Sequence, residues 1–461
     1  MSVKVEKIDR PALNRLVKRG EGHFLDFKSK DIKPSKLTKT LSAFANADGG
    51  ELYIGIEERS SKFFWRGFDS VEDANGHIQA IESLFPFSSY FRYSFLQIDS
   101  LKTFVLQVDI SKTPDIRKAS DGIVYLRRGA QSLPQTDDAQ IRRLEFSKGV
   151  SSYEDHTVCV DPTNLYESDA TKAFMLEVVP SSAPDAWLRK QRLINGSQPI
   201  VCGVLLFSDE PQIDLPKSNI KIYRYKSNAD VGTRETLAFN PRTVEGCLYN
   251  QIFSAVAMTK EMTEDMPLLG TSGLEKIDYP TEAVHEIITN AVIHRDYSIN
   301  DDVHIRIFDN RIEVQSPGSL PGHVTELNYL DERFARNPKI VRLLNKYKNP
   351  PNKDVGEGLN TAFEAMRKLK LQDPVVRQQE NSVLVVLRHE KLGTPEQLIV
   401  EYLRHHEEIN NSTARRICFI GSENTMKRTF QKMIKAGLIQ PVPGRSLNKS
   451  GYVKGDNFPK E

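Results

Sequence analysis

A glutamate and an asparagine four residues apart on one helix can do phosphate chemistry, and Glu286 and Asn290 are such a pair. A helix beginning near Pro280 places both on one face. There the carboxylate can polarise an attacking water while the amide oxygen holds Mg2+ against phosphates. A second set lies near the N-terminus, where Glu21, Asp26 and Lys28 are followed by Glu57. In a strand around Phe24–Phe27, Asp26 and Lys28 share a face. Carboxylates beside a lysine can bind a divalent metal, Mg2+ or Mn2+, and activate water for phosphodiester cleavage. Charged residues at strand ends are also often only solvated, so that reading stands beside the catalytic one.

Elements downstream of Asn290 suit a nucleotide pocket. Val303–Phe308 alternates as a half-buried strand should, Asp309-Asn310 makes a turn, and Arg311–Gln315 forms a hairpin partner. Ser316, Gly318 and Gly322 then fall in a tight loop where a base or ribose can approach the backbone. Gly356 and Gly358 form a Gly-x-Gly turn before the helical run Asn360–Leu369, and its N–H groups suit phosphate oxygens. His294, Arg295 and Asp296, just past the first helix, either reach phosphate or cap the helix.

The N-terminal acids sit among α+β elements. A helix follows Asp9-Arg10-Pro11, and a second starts at Pro34 with Leu37, Leu41 and Phe44 at helical spacing. Asn46–Gly50 ends it, and strands follow at Glu51–Ile56, Phe104–Ile110 and Ile123–Arg127. Lys36 and Lys39, one helical turn apart, form either a phosphate-facing ridge or a solvated face. From 149 to 240 the pattern gives a helix at Asp185–Leu193 and an apolar strand at Ile200–Phe207.

The 461 residues suffice for three or four domains, and a net charge of +2 excludes a uniformly basic polyanion binder. Four scattered cysteines form no zinc or disulfide pattern and suit a reducing compartment. The charged N-terminus and the lack of a long apolar run predict a cytoplasmic chain with no membrane span. Local basicity appears from Glu401 to Glu461, where 11 Lys and Arg face 6 Asp and Glu. Helices are expected at Pro395–Arg404, Ser412–Phe419 and Ser422–Ala436. The last turns Met426, Phe430, Met433 and Ile434 inward and leaves Lys427, Arg428, Gln431 and Lys435 polar. Three helices plus a hairpin with Arg445 at its turn resemble a winged helix, which contacts either DNA or protein.

EAVHEIITNAVIHRDYS, followed by RIEVQSPGSLPG, ARNPKI and VGEGL, resembles the ATP-binding domain of the GHKL superfamily, in its divergent RecG-like C-terminal branch. The resemblance implies a Bergerat α/β sandwich. It makes Glu286 the general base and Asn290 the Mg2+ ligand, puts Ser316, Gly318 and Gly322 in the adenine-side loop, and sets Gly356 and Gly358 on the phosphates. Ser316 stands where such proteins usually carry an adenine-reading aspartate. EGHFLDFKSK and LSAFANADGGELYIGIEE resemble the Schlafen AlbA-like domain, whose nuclease members carry an acidic triad; the matching positions are Glu21, Asp26 and Glu57.

Four regions are therefore expected in an α+β multidomain chain: 1–148, Schlafen AlbA-like; 149–240, mixed and connecting; 241–392, GHKL-like; and 393–461, winged helix. The expected protein binds and hydrolyses ATP and engages DNA or RNA. Nucleotide-driven closure would control a Schlafen-like nuclease and the winged helix. The alternatives are a non-catalytic, ATP-switched transcriptional regulator or a defence assembly, and an oligomer is implied because GHKL domains often dimerise.

Overall fold

The computed structural model describes residues 4–59, 62–86, 90–98, 101–263, 267–270, 273–276, 279–352, 358–369, 371–388, 395–418, 420, 422–442 and 451–459. Gly356 and Arg445 lie outside them. The architecture is α+β, with several separate sheets and fifteen α-helices among the described residues.

The N-terminal unit runs β1 (Val5–Ile8), α1 (Arg10–Arg19), β2 (Leu25–Lys28), α2 (Pro34–Asn46), β3 (Gly50–Ile54), β4 (Ile56–Arg59), β5 (Lys62–Trp65), α3 (Asn75–Leu84), β6 (Phe91–Ile98), β7 (Phe104–Ile110), β8 (Val124–Arg128), β9 (Gln131–Gln135) and α4 (Asp138–Lys148). Helix α1 starts where expected because the Asp9 side chain accepts from Ala12 N at 2.7 Å, satisfying an orphan donor. Its five-stranded sheet has the order β1-β6-β7-β3-β2, and β2 lies parallel to β3. Leu37, Leu41 and Phe44 of α2 are fully buried against that sheet. Gly49 (φ +82°) permits the sharp turn into β3; a Cβ there would meet the Ile110 carbonyl oxygen at 2.5 Å.

The next stretch contains α5 (Thr163–Tyr166), α6 (Asp169–Val178), α7 (Pro184–Lys190), β10 (Ile194–Asn195), β11 (Gln198–Pro199) and α8 (Val201–Phe207). The strand expected at Ile200–Phe207 is the helix α8. Every residue of α8 is buried, so the run shows no amphipathic stripe, and a short apolar run alone does not separate strand from helix.

The largest sheet is built from β12 (Ile220–Arg224), β13 (Arg242–Val244), β16 (Val303–Ile307), β17 (Arg311–Pro317), β18 (Val375–Gln378) and β19 (Ser382–Arg388). Its order is β13-β12-β16-β17-β19-β18, with β12 parallel to β16 and the other pairings antiparallel. The sheet therefore crosses the border at 240, taking β12 from one side and β13 from the other. Between these strands the chain forms α9 (Leu248–Thr263), β14 (Pro267–Gly270), β15 (Gly273–Lys276), α10 (Thr281–Ile293), α11 (Pro338–Leu344) and α12 (Gly358–Lys368). Helices α9 and α12 flank α10, and Ile287, Ile288 and Ala291 of α10 share one core with Ile305, Ile307 and Ile312.

The C-terminal unit comprises α13 (Pro395–His405), β20 (Ile409–Asn410), α14 (Asn411–Ile417), α15 (Glu423–Lys435), β21 (Ile439–Pro441) and β22 (Gly451–Lys454), with sheet order β20-β22-β21. Met426, Phe430 and Met433 fill its core as expected. Ile434 does not: it is 36% exposed, because the α-helical period carries it past the edge of that stripe. Among the described residues, no helix is long and apolar enough to cross a membrane.

Candidate nucleotide site and acidic cluster

Helix α10 holds Glu286 and Asn290 half-buried on one side while Ile287, Ile288 and Ala291 anchor its other side in the core. Asn290 Nδ2 donates to Glu286 Oε1 at 2.7 Å, which fixes both side chains. Burial raises the Glu286 carboxyl above its ordinary value, and the Asn290 hydrogen bond opposes that only in part. The amide oxygen of Asn290 stays available to a hard cation, so this donor set fits Mg2+.

The glycine loop is built by internal packing. Ser316 Oγ donates to Ala291 O at 2.6 Å, tying the end of β17 to α10. Gly318 (φ +105°) lies so close to Asp296 that a Cβ would stand 2.7 Å from the aspartate Cβ. Gly322 (φ +60°) lies against the Phe334 ring, where a Cβ would meet an atom at 2.5 Å. Gly358 opens α12, and Asn360 Nδ2 donates to Leu330 O at 3.1 Å, joining α12 to the segment after the loop.

His294, Arg295 and Asp296 are structural. Arg295 is 2% exposed and donates to the Lys217 carbonyl at 2.8 Å and to those of Ile299 and Asp301. Asp296 pairs with Arg336 at 2.9 Å, and His294 is pushed down to about 4 by burial. The sequence reading gave Arg336 and Asn337 no role. Arg336 also donates to Ser319 O, and Asn337 Nδ2 donates to the carbonyls of Ile293 and Arg295, both at 2.9 Å. They clamp the C-terminal end of α10 to the glycine loop. The available signal was Asn337-Pro338 opening a helix with orphan polar groups to satisfy.

In the N-terminal unit, Glu21 and Asp26 come together and Glu57 does not join them. Asp26 is 2% exposed; one oxygen accepts from Arg127 Nη1 at 2.9 Å and the other from Lys28 Nζ. Glu21 Oε1 accepts from Phe27 N at 3.1 Å, and burial followed by the nearby Asp26 raises its carboxyl. Glu57 is turned to Ser29 Oγ at 2.8 Å and to Arg59 at 2.9 Å, which hold its carboxyl low. Among the described residues, no group of three or more His, Cys, Asp or Glu is arranged to hold a metal. Arg127 was missed by the sequence reading; it sits buried on β8, and its partner Asp26 lies 101 residues away, so no local pattern marks it.

Of the basic candidates, Lys36 is exposed, while Lys39 pairs with Asp121 at 3.0 Å. On α15, Lys427, Arg428, Gln431 and Lys435 are all exposed, and Lys427 pairs with Glu423 at 2.7 Å.

Largely buried contacts join the N-terminal unit, and the stretch that follows it, to the segments around the glycine loop. Lys112 Nζ donates to the carbonyls of Leu320 (2.9 Å) and Val324 (3.2 Å) in the glycine loop. Asp48 lies 3.7 Å from Lys112 Nζ and accepts from Gln378 Nε2 at 3.2 Å. Glu154 accepts from Lys339 N and Ile340 N at the start of α11.

Residues 21–136 match the family model described as "Schlafen, AlbA_2". Residues 300–387 match the model described as "Putative ATP-dependent DNA helicase recG C-terminal". The first match contains Glu21, Asp26 and Glu57, whereas Glu286 and Asn290 precede the second. No curated protein matches the chain. Among solved structures the chain is similar to the crystal structure of the DIP2311 protein from Corynebacterium diphtheriae. Identity is 16%, coverage is 94% of this chain and 92% of that one, and the TM-score is 0.43. Two stretches of the chain are thus similar to known families, the first to Schlafen, AlbA_2 and the second to the recG C-terminal model.

Proposed function

We propose that the chain binds and hydrolyses ATP with Mg2+ at α10, and that nucleotide occupancy switches its hold on nucleic acid. One observation carries the reading: the 2.7 Å hydrogen bond from Asn290 to a buried Glu286 with a raised carboxyl. Bound Mg2+ would supply charge neutralisation at the phosphates. Glu286 Oε2 is left free by the Asn290 contact and takes a proton from water, for which an elevated affinity is suited. Asn290 Oδ1 orients the cation, and the clamp of Arg336 and Asn337 holds α10 against the loop from 316 to 324.

The N-terminal unit, in this reading, binds nucleic acid without cutting it. Asp26 is neutralised on both oxygens by Lys28 and Arg127, which opposes a catalytic metal there. The three helices and small sheet of the C-terminal unit have the makeup of a winged helix, and the exposed Arg428, Gln431 and Lys435 of α15 suit a DNA groove.

The test is phosphate release and calorimetric ATP binding on the full chain. Glu286→Ala is expected to retain ATP and lose roughly 100-fold in turnover. Asn290→Ala is expected to weaken Mg2+-dependent binding by roughly tenfold to a hundredfold. Wild-type binding and turnover in both variants would sink the assignment.

A further inference from the structure

The largest sheet has two faces, and helices cover one of them. Ile305, Ile307, Ile312 and Val314 point into the core, so strand alternation sends Arg306, Glu313 and Gln315 to the opposite face. Across the strands Arg306 pairs with Glu313, Arg311 with Arg388, and Leu384 with both Gln315 and Arg377. These side chains line a cleft of about 500 Å3.

Four arginines enter the cleft against two acids, Asp230 and Glu313. Glu313 is taken by Arg311 at 2.6 Å, and Arg311 is further fixed over the Phe308 ring. Arg306 donates to Gln315 Oε1 at 2.7 Å. Among the described residues, Arg306, Arg377 and Arg388 have no carboxylate partner. Three guanidiniums without a carboxylate partner leave this sheet face net positive, and an anionic ligand complements that charge.

We propose that this cleft binds a single strand of nucleic acid. Guanidinium groups match phosphate oxygens in pairs of hydrogen bonds. Arg377 and Arg388 are offset by four residues of strand rise, about 13 Å, so they reach more than one nucleotide of an extended strand. Between them Val375, Val386 and Leu384 form an apolar floor on which a base can lie. Gln315 is engaged on both amide atoms, by Arg306 and by Gln379 and Ser382, so the amide N–H donors of Gln379 and Asn310 are those left at the walls. Base edges that a duplex keeps paired are free to meet them only in a single strand. This site is separate from the ATP site and adds a third surface to those on α15 and the N-terminal unit.

The test uses the full chain carrying Lys427→Ala and Arg428→Ala, so that α15 does not mask the cleft, and a fluorescent oligo-uridine as probe. Adding Arg377→Gln and Arg388→Gln is expected to weaken binding about tenfold and to flatten the salt dependence by roughly 1.4 in log–log slope. ATP binding and thermal unfolding should stay at parental values, since neither arginine has a partner to lose. A 4-thiouridine strand should crosslink to peptides of β18 or β19. Unchanged or unmeasurable binding, crosslinks confined to other units, tighter binding of a duplex, or equal displacement by poly-glutamate would each overturn the proposal. The last outcome would assign the face to an acidic protein.

Discussion

Lys112 and Leu320, 208 residues apart, meet through a buried 2.9 Å hydrogen bond from the lysine ammonium to the backbone carbonyl. The same ammonium reaches Val324 O, so a side chain that follows β7 holds both sides of the glycine loop. Burial lowers the proton affinity of Lys112, and Asp48 opposes the effect. A charge this buried is tolerated only because its hydrogen bonds are made.

Lys112→Met keeps the length of the stem and removes those bonds. Two carbonyls then lose a partner, and the expected cost is about 2–4 kcal/mol in urea denaturation. Amide exchange should rise in residues 318–324, and ATP affinity should fall although Lys112 is remote from α10. A variant with parental exchange in that loop would show that the link does not hold it.

Arg127 and Asp26 form an ion pair with both side chains almost inaccessible. Arg127→Ala leaves a buried carboxylate with only Lys28, and the expected loss is about 3–5 kcal/mol. The double variant Arg127→Met/Asp26→Asn should recover much of that loss. If Arg127→Ala instead preserved stability and created metal-dependent cleavage, the non-catalytic reading of this unit would fail.

Glu154 is raised to about 7, chiefly by burial, although two backbone N–H groups of α11 pull the other way. A carboxyl raised from 4.5 stabilises the fold fully below pH 4.5, and that contribution is lost as pH rises through about 7. Up to about 3 kcal/mol is at stake over this window. Glu154→Gln should therefore give a flatter stability profile between these pH values. Parallel profiles for the two proteins would refute the argument.

Gly322 combines a left-handed backbone with a Phe334 ring where a Cβ would stand. Gly322→Ala should cost about 1–3 kcal/mol in the urea midpoint, through backbone strain and overpacking. Phe334→Leu in the same chain should restore part of it. No recovery would mean that strain alone sets the cost.

Much of the local structure was legible because its causes are local. Asp9 before Pro11 announced a capped helix, and the spacing of Leu37, Leu41 and Phe44 announced a buried one. The pair Glu286 and Asn290 was legible from the helical period. Interior and long-range features were not. Helix α8 is surrounded by protein and so shows no polar side to reveal its period. Arg127, Lys112 and Arg336 are charges whose partners lie 40 to 208 residues away. A charged residue buried by a distant partner has the same local sequence as one in water. Gly318 and Gly322 suggested a ligand loop; in the fold they make room for Asp296, Arg336 and Phe334.

The sheet that crosses residue 240 has a practical consequence for anyone dissecting the chain. A fragment cut to 241–392 would keep β13 without the strand it pairs with and would bare the side of β16 that β12 covers. Such an open edge invites pairing with a second molecule and hence aggregation. The fragment would also lose Glu154 from α11 and Phe174 from beside Tyr347, where the ring centroids lie 4.9 Å apart. A piece meant to keep this sheet and its core must therefore begin no later than Ser152, although it still forgoes the Lys112 bonds to the glycine loop, and insolubility of shorter pieces would report a severed sheet, not a defective ATP site.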